Sequence, residues 1–164
     1  MNSIELISKK EIILLALEKS IKTIKLGESP KKYPMYKYCN TVTYVDRQYL
    51  SIDPNEVVNA PKPWILINNM GEDFKLLPSK LFENKIHVDI VGFVECEKDG
   101  VNLDSLMNSL QRDIFAAILS DETLNQTASY VVPISIQTVP IMINPYGGFV
   151  MMIDIVYVFS GLNI

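Results

Sequence analysis

This sequence contains few of the residues that catalysis or metal binding usually requires. Among its 164 residues there is one histidine, His87, and there are two cysteines, Cys39 and Cys96, which belong to no CxxC or Cys/His motif. Neither a zinc site nor a framework of disulfide bonds is indicated, and we predict that the protein has no cofactor. Because free thiols persist in reducing surroundings, we expect folding in a cytoplasm.

Long apolar runs are also missing. A membrane-spanning helix requires about 20 consecutive apolar residues, and Asp89, Asp113 and Asp154 interrupt the most hydrophobic stretches. The first ten residues have Glu5 inside their apolar patch and lysines after it, which is the wrong order for a secretory signal. Hydrophobic residues nevertheless make up 48% of the chain, so we expect a partner to cover part of the surface.

The charge of the chain disfavours general binding to nucleic acid. A net charge of −4 makes the protein mildly acidic, which repels a phosphate backbone except at a local basic patch. One such patch, the arm of residues 29–38, alternates lysines with tyrosines: Lys31, Lys32, Tyr33, Tyr36, Lys37 and Tyr38. Proteins that bind single-stranded nucleic acid have a similar alternation. We favour the alternative, in which the arm packs its tyrosines on a protein partner and leaves its lysines in water.

Two segments have the periodicity of amphipathic helices. Ser8 and Glu11 form a capping box ahead of apolar residues that recur at helical spacing from 13 to 24. Asn102 can cap a second helix, whose apolar stripe continues from 103 to 118. These are the two main helices of the predicted fold.

The other segments favour strands and loops. Residues 28–62 form an irregular insertion rich in tyrosine and proline, with a strand expected at 41–50. A short buried strand is predicted at 64–68, followed by a polar turn at 69–73, and a half-buried strand at 86–94. The strand at 130–139 contains Pro133, which favours a sheet edge or a bulge.

The last predicted strand, residues 149–159, is apolar on both faces. Residues 149, 151, 153, 155, 157 and 159 form one face, while Val150, Met152, Val156 and Val158 surround Asp154 on the other. Two helices can cover only one face of a sheet of about five strands, so we expect a neighbouring subunit to cover the other. The predicted interface residues are Tyr33, Tyr36, Tyr38, Val150, Met152, Val156 and Val158.

Together these elements predict a single α+β domain over residues 1–164. Its sheet of about five strands is antiparallel or mixed, and the two main helices pack on one face. Residues 28–62 are an insertion or arm of that domain.

Two possible chemical sites are weaker than their structural alternatives. His87 and Asp89 share a strand face and could act as a base and its orienting group, but no nucleophile motif such as G-x-S-x-G is present. Glu95, Glu97 and Asp99 lack the glycine and the terminal glutamate of a calcium loop. Solvated surface charges explain both groups, and we predict that the protein is not an enzyme.

Four segments resemble a known family in their order and spacing. They read PWILINN at 63–69, HVDIVGFVECEKDG at 87–100, LDSLMNSLQRDIFAAILSDETLN at 103–125 and GGFVMMIDIVYVF at 147–159. This succession is similar to the tail terminator proteins, or minor tail protein U-like proteins, of tailed phages. The helix that ends in DIFAAILSDETLN, between two antiparallel strands, is the most characteristic part.

The resemblance implies a structural virion protein that folds in the host cytoplasm and is located in the tail or neck. Such proteins form a hexameric ring that caps the head-proximal end of the tail tube and stops its polymerisation. The implied partners are further copies of the chain, the tail tube protein, the head-tail connector or another neck protein, and the sheath protein if the tail is contractile. DNA would pass through the lumen without specific binding. The resemblance implies no catalytic residues.

Three alternatives remain open at this stage. A different neck component, such as a head-tail connector or tail completion protein, can have the same order of elements. A nucleic-acid-binding module would use the arm, and a small enzyme would use His87 with Asp89.

Overall fold

The computed structural model describes residues 8–47, 53–96, 102–139 and 145–160 and has the predicted α+β class. Within these ranges a five-stranded mixed sheet is accompanied by three helices, two of them long. The elements are α1 (Lys9–Lys22), β1 (Tyr44–Arg47), α2 (Pro54–Asn59), β2 (Trp64–Leu76), β3 (Phe82–Glu95), α3 (Leu103–Ser120), β4 (Tyr130–Thr138) and β5 (Tyr146–Phe159).

The strands lie in the order β1-β2-β3-β5-β4. The pair β1 and β2 is parallel, and the other neighbouring pairs are antiparallel. The edge strand β4 has a register shift between Pro133 and Ser135, so both an edge position and a bulge are confirmed for the proline-containing strand. Proline has no N–H to donate to a β-ladder, so it is tolerated at a sheet edge, where one side of the strand has no neighbouring strand.

The main core lies between the long helices and one face of the sheet, which we call the helix face. Both helices begin at the predicted caps, since Ser8 accepts a hydrogen bond from the Glu11 amide and Asn102 accepts one from the Asp104 amide. Fully buried core residues from four elements include Ile13, Leu17, Ile114, Ile86 and Ile155. Burying each such side chain stabilises the fold by about 1.5–3 kcal/mol.

A second, smaller core covers one end of the opposite face, which we call the open face. Trp64 and Phe93 stack there with ring centroids 5.5 Å apart, beneath Val57 of α2. The sequence reading missed α2. Two adjacent residues could have predicted this helix: Asp53 caps it, and Pro54 occupies its first turn, a position that suits proline.

The region 28–62 is more ordered than predicted, since it contains β1 and α2. The predicted strand at 41–50 is partly confirmed by β1 at Tyr44–Arg47, and its last residues lie outside the described ranges.

The prediction of a polar turn at 69–73 was wrong, because β2 continues to Leu76 through a bulge between Asn69 and Gly71. The polar side chains have partners: Glu72 forms an ion pair with Lys10 of α1 and accepts a hydrogen bond from Asn84 at 2.7 Å.

Among the residues that the structure describes, no helix combines the length and the apolar character needed to cross a membrane.

Gly92 makes room for an aromatic ring in the core. It lies opposite Phe149 in the ladder between β3 and β5. A Cβ atom at this position would lie 2.6 Å from Cε1 of the Phe149 ring, which is itself fully buried. The sheet therefore needs a residue without a side chain beside this phenylalanine.

We expect Gly92→Ala to lower the free energy of unfolding by about 1–3 kcal/mol, because the new methyl group overpacks the core. Urea denaturation measures the change. In a Phe149→Leu background the same substitution should cost clearly less, since the obstructing ring is gone. Equal costs in the two backgrounds would show that the ring is not the reason for glycine.

Candidate interaction surface

The predicted interface residues of β5 divide into two groups. Val150, Met152 and Val158 are half-buried on the open face. Val156 is only 2% exposed, so it is enclosed by its own chain and is not part of the candidate interface. Val150 packs at the margin of the core formed with α2. The open face of β5 is thus covered in part, and its middle remains accessible.

The edge strand β4 adds apolar residues that the interface prediction missed. Tyr130, Val132 and Ile134 are 46%, 38% and 55% exposed. Residues 130–138 include no charged side chain, although charge is a common way to protect an edge strand from other proteins. We call this surface the apolar patch; it comprises Tyr130, Val132, Val150 and Met152 on the open face, together with Ile134 in the bulge of β4. In the sequence, the patch could have been recognised from the absence of charged residues around Pro133.

The arm, residues 29–38, is folded back on the helices by Asp113 of α3. This carboxylate is fully buried and accepts hydrogen bonds from the Tyr36 hydroxyl at 2.6 Å, the Cys39 amide at 3.0 Å and the Asn40 amide at 2.8 Å. The Asn40 side chain donates a further bond at 2.7 Å. Beyond this anchor, the backbone amide of Lys32 donates to Ser120 at the end of α3 at 3.0 Å. The arm is therefore fixed along the second half of α3.

This arrangement removes Tyr38 from the predicted interface and partly buries Tyr36. Tyr38 is 3% exposed and belongs to the main core, so it cannot contact a partner. Tyr36 packs against that core, and its burial, together with the hydrogen bond to Asp113, raises its pKa to about 12. Tyr33 remains on the surface, 38% exposed. Asp113 gave no signal in the sequence, because its partners are remote in the chain.

We expect Asp113→Ala to lower the free energy of unfolding by about 3 kcal/mol or more, because several buried donors lose their acceptor. The exposed Asp104→Ala on the same helix should cost less than about 1 kcal/mol. Chemical denaturation of both variants gives the comparison. Equal, small losses would refute the anchoring role of Asp113.

His87 lies on the open face between two carboxylates. Its Nδ1 atom is 2.7 Å from Asp154 of β5, and its Nε2 atom is 3.0 Å from Asp73 of β2. Lys85 adds a longer contact of 3.8 Å to Asp154. These partners replace the pairing with Asp89 that the strand pattern suggested. Asp89 is half-buried on the same face, and burial raises the pKa of its carboxyl group.

The geometry favours a doubly protonated imidazole at His87. An ionised carboxylate only accepts hydrogen bonds, so both ring nitrogens must donate if both contacts are to form. Hydrogen bonds to Asp154 and then to Asp73 accordingly raise the pKa of His87 above 6.5. Neither nitrogen is left to take a proton from a substrate.

Stability should depend on pH through this histidine. Because its pKa is raised in the folded state, its contribution is complete below pH 6.5, the ordinary value, and is lost as pH rises through the folded value. The single imidazole should titrate above 6.5 in an NMR experiment. Asp154→Asn should lower that midpoint more than Asp73→Asn, since the bond to Asp154 has the larger influence. A wild-type midpoint at or below 6.5 would disprove the bridge.

The described part of the chain contains no group of three or more His, Cys, Asp or Glu residues arranged to hold a metal ion. In the calcium alternative, Glu95 is half-buried at the end of β3, while Glu97 and Asp99 lie outside the described residues. Comparison with known proteins gives no assignment, since no family model and no curated protein matches the chain.

Proposed function

We propose that this protein is a structural component of a phage or phage-like particle, namely a tail terminator. The observation that carries the proposal is the apolar patch on β4 and β5, which nothing in the described part of the chain covers completely. An uncharged edge strand with exposed aromatic and aliphatic side chains is a typical protein-binding surface. In the proposed assembly, another subunit lies against this patch.

The order of the elements supports the same function. The segments that resemble tail terminators fall on β2, β3, α3 and β5. The three strands are adjacent at the centre of the sheet, and α3 packs on its helix face. In the proposed role, copies form a ring, which is hexameric in that family, at the head-proximal end of the tail tube. The ring stops tube polymerisation and binds the head-tail connector or another neck protein. The sheath protein is a further partner if the tail contracts, and DNA passes through the lumen without specific binding.

The other classes of function have less support. An enzyme that uses His87 needs a ring nitrogen able to accept a proton, and both nitrogens contact carboxylates. A nucleic-acid binder that uses the arm needs several exposed rings on which bases can stack, whereas Tyr36 is half-buried and Tyr38 is buried. A different neck protein would use the same patch on another partner.

A tube-length assay tests the proposal. Adding the purified chain to polymerising tail tube protein of the same particle should stop growth and yield shorter tubes, measured by electron microscopy. Ile134→Lys, at a position 55% exposed, should abolish this effect because it places a charge in the apolar patch. Met70→Lys, at a position 61% exposed on β2, is the matched control and should act like the wild type.

Two results would count against the proposal. If the wild-type chain leaves tube length unchanged and does not bind tube ends, it is not a tail terminator. If Ile134→Lys stops growth as well as Met70→Lys does, the apolar patch is not the working surface.

A further inference from the structure

Positive charge is concentrated in one part of the chain. Residues 18–37 contain six lysines and two glutamates, a net charge of +4, in a chain whose net charge is −4, so the remainder carries −8. All six lysines are exposed. Lys22 pairs with Glu18, and Lys32 pairs with Glu122; the other four have no carboxylate at ion-pair distance within the described ranges.

The arm combines this charge with exposed apolar side chains. Met35 is 94% exposed and Tyr33 is 38% exposed, and they lie between Lys31 and Lys37 along the arm. Asp113 keeps the arm in a fixed position on α3, so that binding would not have to order a loose segment. An apolar centre with a charged rim is the usual organisation of a protein interface.

The open face has the opposite charge. The alternation of side chains along the strands and the registers of β2, β3 and β5 place five carboxylates on it, against two lysines, Lys75 and Lys85, and the doubly protonated His87, so the carboxylates outnumber the cationic groups. The carboxylates are Asp73, Glu83, Asp89, Glu95 and Asp154. Asp89 and Asp154 adjoin the apolar patch directly, because they lie opposite Met152 and Val132 in the ladders. Asp89 therefore places negative charge beside the patch, whereas Asp154 shares its charge with His87 and Lys85.

These two surfaces cannot meet within one copy of the chain. The arm packs on α3, which covers the helix face, whereas the patch lies on the opposite side of the sheet. Asp113 and Ser120 hold the arm on α3, so it does not reach the patch of its own copy. Their complementarity can therefore be used only between two molecules.

We propose that the occupant of the apolar patch is the arm of a second copy of this chain, with Met35 and Tyr33 on the patch and the lysines beside the flanking carboxylates. This inference rests on the proposed function and specifies how its ring is built. Because the two surfaces differ and lie on opposite sides, the contact is head to tail, the type that closes into a ring or continues as a filament. A self-complementary surface would instead produce a twofold dimer.

Measuring the mass of the protein in solution at different salt concentrations tests the contact between the arm and the apolar patch. At about 25 mM salt and high protein concentration, sedimentation velocity should detect species above the 18.6 kDa of one chain, and salt at about 0.5 M should dissociate them. Replacing Lys31→Glu together with Lys37→Glu should weaken association at least about tenfold, since attraction becomes repulsion. Lys19→Glu together with Lys80→Glu changes the net charge equally, outside both surfaces, and should associate like the wild type.

A mixing experiment makes the test specific for a head-to-tail contact. Asp73→Lys with Asp89→Lys reverses charge on the open face, and circular dichroism checks that this variant and the arm variant are folded. Each variant alone should remain monomeric. An equal mixture of the two should assemble. The acidic arm of the first variant can bind the basic open face of the second, and the native arm of the second can bind the native open face of the first. The mixed species should contain both chains in equal numbers by native mass spectrometry.

Several results would overturn this inference. A wild-type chain that remains at 18.6 kDa at low salt, an arm variant that still associates, or a mixture of folded variants that does not assemble each contradicts the contact. If the arm lysines are needed to shift a DNA fragment but not for association, the arm is a nucleic-acid surface instead. Tube termination by the wild-type chain in any of these cases would leave the proposed function intact and remove only this account of the ring.

Discussion

The position of the arm depends on one buried carboxylate. Within the described residues, Asp113 has no cation as a hydrogen-bonded partner, and its charge is stabilised by donors from Tyr36, Cys39 and Asn40. A buried charge that is satisfied in this way is costly to expose or to leave unpaired, so the chain that supplies the donors is held against α3. The same interaction directs Tyr38 into the core and leaves the lysines in solvent.

The two faces of the sheet differ in what covers them. The helix face is covered by long helices and is almost entirely apolar. The open face combines a small core under α2, a polar group around His87 and the apolar patch near β4. This division is consistent with one face that stabilises the fold and another that remains accessible to a partner.

The sequence allowed prediction of the elements whose signal is local. The stripe of α3, the cap at Ser8, the edge position of β4 and the apolar character of β5 depend on periodicity, on a capping box or on one proline, and the structure contains each of them. Contacts between remote residues were not predictable in this way. The partners of His87 come from two neighbouring strands, and nothing nearby in the chain identifies them.

The same limit explains the errors at Tyr38 and in β2. A tyrosine that follows a lysine, as Tyr38 follows Lys37, resembles a surface residue until its tertiary contacts place it in the core. Likewise, the polar residues that follow Asn68 resemble a turn until the partners of Glu72 are known. In both cases tertiary contacts override the local preference.

Pro133 and the bulge beside it have a consequence for how far the proposed assembly could grow. A regular edge strand offers evenly spaced amides and carbonyls, and a foreign strand can extend the sheet without limit, as in amyloid. Proline removes one amide from β4, and the bulge breaks the spacing of the others, so hydrogen bonds cannot propagate continuously from molecule to molecule. A neighbour in the proposed assembly would then bind β4 mainly through its side chains, which favours a finite particle of defined stoichiometry over a fibre.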